Sequence, residues 1–190
     1  ESRPTEGAYS ALMWFHGGAY AALNYNGYGH FDSDEWMGWT GEMGLPKSSE
    51  DYGAARRRLK SIAGPAEESA LKNAGTYGGS AYTPPNRQAP SVARHQHFGP
   101  FVVSCDKADL RPLPDGIYVY EDDKKYLIDI EPPLVPRAEV IDELYAAVHA
   151  GQPCLHGGEW ARRTLEICLA MIESSRVSRD VVLSGVMRDV

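Results

Sequence analysis

The sharpest periodicity in this chain lies near its end, in two helical runs that any fold it adopts must accommodate. From Pro136 onward, Val140, Leu144 and Val148 recur at every fourth position, with Ile141 widening the stripe and Gly151 placed to stop it. Glu139 and Asp142 fall near the start, where the positive end of a helix dipole favours carboxylates. Residues 159–175 repeat the pattern, with Leu165, Cys168, Leu169 and Ile172 on one side and Arg162, Glu166 and Glu173 on the other. Both runs predict amphipathic helices that bury one face.

Strand signals lie mostly upstream. Residues 8–15 and 19–26 are apolar and aromatic and flank His16-Gly17-Gly18, a turn suited to positive φ, which predicts a hairpin. Residues 27–44 then mix glycines with Tyr28, Phe31, Trp36, Met37, Trp39 and Met43, as expected of a structured loop with an aromatic wall. A short basic helix is expected over 51–62, within a long irregular excursion at about 45–95 whose second part, 63–93, is rich in Gly, Pro, Ser and Asn. Strands are predicted at 98–105, 117–120 and 126–130, the last two joined by the charged turn 121–125, with a short closing strand at 181–183.

Strands and helices are thus segregated along the chain. That order favours an α+β fold with an open, largely antiparallel sheet and helices packed on one face, formed as a single domain over 1–190. The other face would be left for water or a partner. Tyr9, Trp14, Tyr20, Tyr25, Tyr118 and Tyr120 carry more aromatic surface than one helical layer would cover, so a homo-oligomer through the open sheet face is expected.

The formal charge of -7 and the absence of a basic patch argue against nucleic acid and anionic membrane surfaces as partners. No apolar run reaches the roughly 20 residues of a membrane span, and the opening Glu1-Ser2-Arg3-Pro4 does not resemble a signal peptide. Cys105, Cys154 and Cys168 are odd in number and lack C-x-x-C spacing, so reduced, buried thiols in a cytoplasmic protein are expected. The first residue is not Met, which fits either processing or a piece excised from a longer polypeptide.

A dinucleotide site needs G-x-G-x-x-G between strand and helix; Gly27-Tyr28-Gly29 begins that way and ends in Asp32, whose carboxylate would repel a pyrophosphate. No P-loop and no G-x-S-x-G elbow occurs. Polar chemistry concentrates in two clusters, residues 30–35 and His95-Gln96-His97. If each is extended, alternate side chains share a face, so His30, Asp32 and Asp34 could converge, as could His95 and His97. Two readings stay open: a polar, substrate-facing rim, or a metal-binding or metallohydrolase site built from His30, Asp32, His95 and His97. Trp36 and Trp39 are compatible with core filling or with a wall against a ligand. Arg56, Arg57 and Arg58 are compatible with a solvated helix face or an anion clamp. A third reading is a non-catalytic dimerisation module.

Three stretches resemble the C-terminal domain of the Gfo/Idh/MocA oxidoreductases. Residues 158–175 look like the last helix of that domain, and 136–145 like the helix before it. The third group is residues 27–35 with Gly41-Glu42-Met43-Gly44, then His97-Phe98-Gly99-Pro100 through Leu113-Pro114-Asp115-Gly116; it is similar to the phthalate dihydrodiol dehydrogenase branch. The resemblance implies an N-terminal Rossmann domain of the same polypeptide that binds NAD or NADP, and a second domain, this one, that lines the substrate site and forms oligomers. It implies a small-molecule diol or polyol-like substrate. The polar and aromatic density of residues 29–44 and 95–97 makes His30, Asp32, Trp36, Trp39, His95 and His97 the substrate-facing candidates. The family's Glu-Lys-Pro motif is absent, so no catalytic residue carries over and this segment alone is expected to be inactive.

Overall fold

The computed structural model describes residues 7–83, 93–133 and 137–183. They form an α+β protein with small, open antiparallel sheets. Its first strands, β1 (Ala8–Trp14) and β2 (Tyr20–Asn26), make the expected hairpin. Gly17 and Gly18 turn the chain at φ 89° and 91°, values that cost a side-chain-bearing residue dearly. Tyr9 stacks on Tyr25 at 5.6 Å, and the Ser10 hydroxyl donates to Asn24 Oδ1 at 2.8 Å.

Helices α1 (Ala54–Lys60) and α2 (Pro65–Gly75) follow. The first matches the short basic helix expected there; the second occupies a stretch expected to be irregular. Pro65 opens α2 at a position whose N–H has no helical partner anyway, Glu67 and Glu68 follow in the first turn, and Lys72 pairs with Glu68 at 2.7 Å. Turn-rich composition around α2 masked a helix that has capping chemistry but little apolar stripe. Residues 84–92 of the expected excursion lie outside the described residues.

Four strands form the larger sheet in the order β3-β4-β5-β6, all neighbours antiparallel: Val103–Ser104, Asp109–Leu113, Gly116–Tyr120 and Lys125–Asp129. The strand expected over 98–105 shrinks to β3, because Gly99, at φ 96°, and Pro100 interrupt it and Phe98 faces solvent. β4 was hidden from sequence reasoning by Pro112, which normally disqualifies a central strand. Its tolerance has a local cause: β3 pairs only with Asp109 and Leu110, so Pro112 needs no donor on that side. Helices α3 (Ala138–Ala150) and α4 (Gly158–Val177) confirm the two periodic runs. No strand forms at 181–183; α4 ends at Ser178 in a left-handed turn, and Val182 stands exposed.

The described residues divide between two compact units, one within Glu1–Ala8 and Asn26–Ala138, the other within Tyr9–Tyr25 and Glu139–Val190. In the first, Val119 of β5 and Met37 are buried together with the polar Thr40 and His97. In the second, the apolar stripes of both helices are exposed, Val140, Leu144 and Val148 on α3 and Leu165, Leu169 and Ile172 on α4. The three cysteines are exposed as well, which corrects the expectation of buried thiols: Cys105 and Cys154 sit in connections, and Cys168 shares the uncovered stripe of α4. Among the described residues no helix is long and apolar enough to cross a membrane.

Candidate functional site

Within the first unit, residues 28–47 fold back on themselves around a short 3-10 helix, Ser33–Met37. Asp32 caps it, its carboxylate accepting from the Asp34 N–H at 3.2 Å. Gly38, at φ 65°, ends it by donating to the carbonyls of Asp34 and Glu35, and Trp39 continues in the left-handed region at φ 55°. The Trp39 N–H returns to the Asp34 carbonyl at 2.8 Å, and Lys47 N–H closes on the Trp39 carbonyl at 2.8 Å.

Lys47 is the electrostatic centre of this loop. Its Nζ donates to Asp32 Oδ2 at 2.5 Å and to Asp34 Oδ2 at 2.9 Å, with all three side chains a third exposed or less. The hydrogen bond from Lys47 holds Asp32 below the usual carboxylate range despite partial burial. Burial works to lower Lys47, but the two carboxylates outweigh it and raise its pKa above the ordinary value. Both carboxylates are therefore committed, and among the described residues these bonds use two of the three ammonium protons.

The neighbouring segments are stapled to the same loop. The Tyr52 hydroxyl donates to the His30 carbonyl at 2.9 Å, Arg56 donates to the carbonyls of Gly29 and Tyr28, and Arg57 donates to that of Tyr52 at 3.0 Å. Two members of the arginine run are thus occupied by backbone, and an anion clamp of three guanidinium groups is not what they form.

Segment 93–99 runs alongside. The Arg94 N–H donates to the Gly44 carbonyl at 2.8 Å, and a Cβ on Gly44 would come 2.0 Å from the Arg94 carbonyl oxygen, so only glycine allows this approach. His97 is buried: its Nε2 meets the Thr40 carbonyl at 2.8 Å while Nδ1 accepts from the Gly99 N–H at 3.1 Å. That pairing specifies the neutral tautomer protonated at Nε2. His95 instead places Nε2 on the Glu131 carbonyl at 2.8 Å.

The sequence-derived candidates therefore separate. Asp32 and Asp34 converge, on Lys47; His30 presents an exposed ring from a tethered backbone. His95 and His97 engage different carbonyls and do not converge. The donor atoms proposed for a metal at His30, Asp32, His95 and His97 are mostly committed elsewhere, and among the described residues no group of three or more His, Cys, Asp or Glu is placed to hold a metal ion. The aromatic wall divides too: Met37 is core, Trp39 is half-buried, and Trp36 faces outward at 56% exposure against Phe31, ring centroids 4.8 Å apart. Lys47, Thr40 and Tyr52 were missed by sequence reasoning, since each acts over a separation with no local signature. A hollow elsewhere in this unit is lined by Asp106, Lys107, Ala108, Glu121, Asp122 and Asp123, and none of the loop's residues lines it.

No protein-family model matches the chain. It is 40% identical over 178 residues to the 1-carboxy-3-chloro-3,4-dihydroxycyclohexa-1,5-diene dehydrogenase of Comamonas testosteroni, covering 92% of this chain and 44% of that protein. The chain is homologous to a dehydrogenase. It also superposes on the crystal structure of an inferred dehydrogenase from Bordetella bronchiseptica RB50, with TM-score 0.75 and 35% identity, over 93% of this chain and 44% of that one. The chain spans less than half the length of each.

Proposed function

We propose that this chain is the substrate-side and assembly part of an NAD- or NADP-dependent dehydrogenase of the Gfo/Idh/MocA type that oxidises a cyclic diol, with an N-terminal Rossmann domain of the same polypeptide carrying the cofactor. The observation that carries this reading is the 40% identity to the Comamonas testosteroni enzyme across nearly the whole chain, combined with coverage of only 44% of that enzyme. The residues present here do not fit a nicotinamide cofactor. The only approach to a glycine fingerprint runs into Asp32, an ionised carboxylate held by Lys47 where a pyrophosphate would have to lie.

The loop suits the other half of the task. Phe31 and Trp36 offer an outward aromatic edge and face for an unsaturated ring. Beside them the Asp32–Lys47–Asp34 cluster keeps an ammonium proton available for a substrate hydroxyl or carboxylate. The buried contact between Thr40 of the loop and His97 fixes the loop's shape before a ligand arrives, which lowers the ordering cost of binding. Hydride acceptance belongs to the cofactor; these residues bind and orient. Self-association through the open sheet face accompanies this role.

Turnover of a carboxylated cyclohexadiene diol, followed by nicotinamide absorbance, tests the reading. The full-length protein is expected to turn over and this chain alone is not; Trp36→Ala in the full-length protein should raise KM by roughly three- to tenfold with a smaller change in kcat. Turnover by this chain in isolation would sink the proposed division of labour.

A further inference from the structure

Among the described residues β6, Lys125-Tyr126-Leu127-Ile128-Asp129, is the outer strand of the larger sheet, and all five of its residues are exposed. An edge of this kind presents unpaired backbone groups that natural proteins usually cover or blunt. Here the phase of those groups can be read off. The Ile130 N–H donates to the Asp115 carbonyl, and the Lys124 carbonyl accepts from the Glu121 N–H, so even-numbered residues spend their backbone groups on β5. In an antiparallel ladder the alternation then turns the N–H and C=O of Lys125, Leu127 and Asp129 outward.

We infer that β6 is an isologous interface at which two copies of this chain join edge to edge, antiparallel about a two-fold axis at Leu127, merging two four-stranded sheets into one. Three features of the strand coincide in that register. Leu127 exchanges both backbone hydrogen bonds with its counterpart, and Lys125 does so with Asp129 of the second copy, because the outward residues are the ones that face each other. Each charge meets its opposite, twice by symmetry. Tyr126 faces Ile128 of the second copy on the other surface, an aromatic–β-branched pair that sheets favour. Centring the axis on Lys125 or on Asp129 instead would set like charges together, and no other register pairs all five strand residues. Asp123 and Glu131, the next outward pair, lie outside the strand and limit the ladder to its length.

This contact is distinct from association through the sheet face, and the charges separate the two. In sedimentation equilibrium of the full-length protein, wild type is expected to self-associate, whereas Lys125→Glu and Asp129→Lys should each weaken homodimers about tenfold or more, since each places like charges at both symmetric positions. Mixing the two variants should restore association, because the mixed pair is complementary at both positions; this also shows that neither variant has lost its fold. The double variant Lys125→Glu/Asp129→Lys should associate like wild type. A wild-type monomer at tens of micromolar, variants that dimerise unchanged, or a mixture that fails to associate would each overturn the edge interface. Unchanged dimers would leave face-to-face association standing, and a wild-type monomer would remove both.

Discussion

Lys47 shows how much of the candidate site depends on one side chain that lacks any local signature. Thirteen to fifteen residues separate it from the two carboxylates it holds, and replacing it by Met leaves those carboxylates facing each other without a cation. Lys47→Met is expected to lower stability at neutral pH by about 1 kcal/mol, modest because the cluster is partly solvated. Asp32 titrates in the folded state below its ordinary 3.8, so its contribution is complete above that pH and is lost as pH falls through the lowered folded value. Lys47 is raised above its ordinary 10.5, so its share is complete below that pH and fades only at higher pH. Urea midpoints should therefore separate wild type and variant at pH 7 and converge as pH falls below the ordinary carboxylate range; a gap that persists in strong acid would locate the effect elsewhere. His97 was visible in the sequence as half of a histidine pair, yet its ring links the Thr40 carbonyl to the Gly99 N–H, which no spacing rule anticipates.

At the scale of elements, α3 and α4 were legible because their apolar residues repeat with the helical period, and that signal survives whatever they pack against. α2 and β4 were not, one being polar and flanked by turn residues, the other containing a proline that only the shortness of β3 permits. The first turn of α4 carries its own electrostatic device. Arg162 and Arg163 both donate to Glu159, at 2.7 to 2.9 Å, and hold its carboxyl down to about 2. Because that folded value lies below the ordinary 4.5, the stabilisation is present above pH 4.5 and disappears as pH falls from there toward 2. Carboxyl chemical shifts followed by NMR should place the Glu159 midpoint near 2, and Arg162→Ala should move it upward toward the ordinary range. A midpoint that stays near 2 when Arg162 and Arg163 are both replaced by Ala would show that the helix dipole, and not the guanidinium groups, governs it. The connection into α4 is fixed by Glu143, which accepts from the backbone and ring of His156 and is lowered by those bonds.

For the molecule as a whole, apolar exposure is the leading fact. Val140, Leu144 and Val148 on α3 and Leu165, Leu169 and Ile172 on α4 are each more than half exposed, a larger apolar surface than a self-sufficient domain ordinarily leaves bare. In the isolated chain, native-state thiol titration should count Cys105, Cys154 and Cys168 as reactive without denaturant, and a hydrophobic dye should bind. In the full-length protein, coverage of the α4 stripe is expected to slow Cys168 selectively while Cys105 still reacts. Equal rates for Cys168 in both forms would mean that the stripe stays bare in the complete protein.

By itself the sequence determined the fold class, the opening hairpin, the two late helices and the absence of a glycine fingerprint, because periodicity, turn chemistry and motif spacing are properties of neighbouring residues. Tertiary structure alone decided which polar residues meet: Asp32 and Asp34 with Lys47, His97 with Thr40 and Gly99, Arg94 with Gly44. These contacts bring together segments distant along the chain. Their partners are chosen by backbone path and by the need to satisfy buried polar groups, not by any pattern written locally.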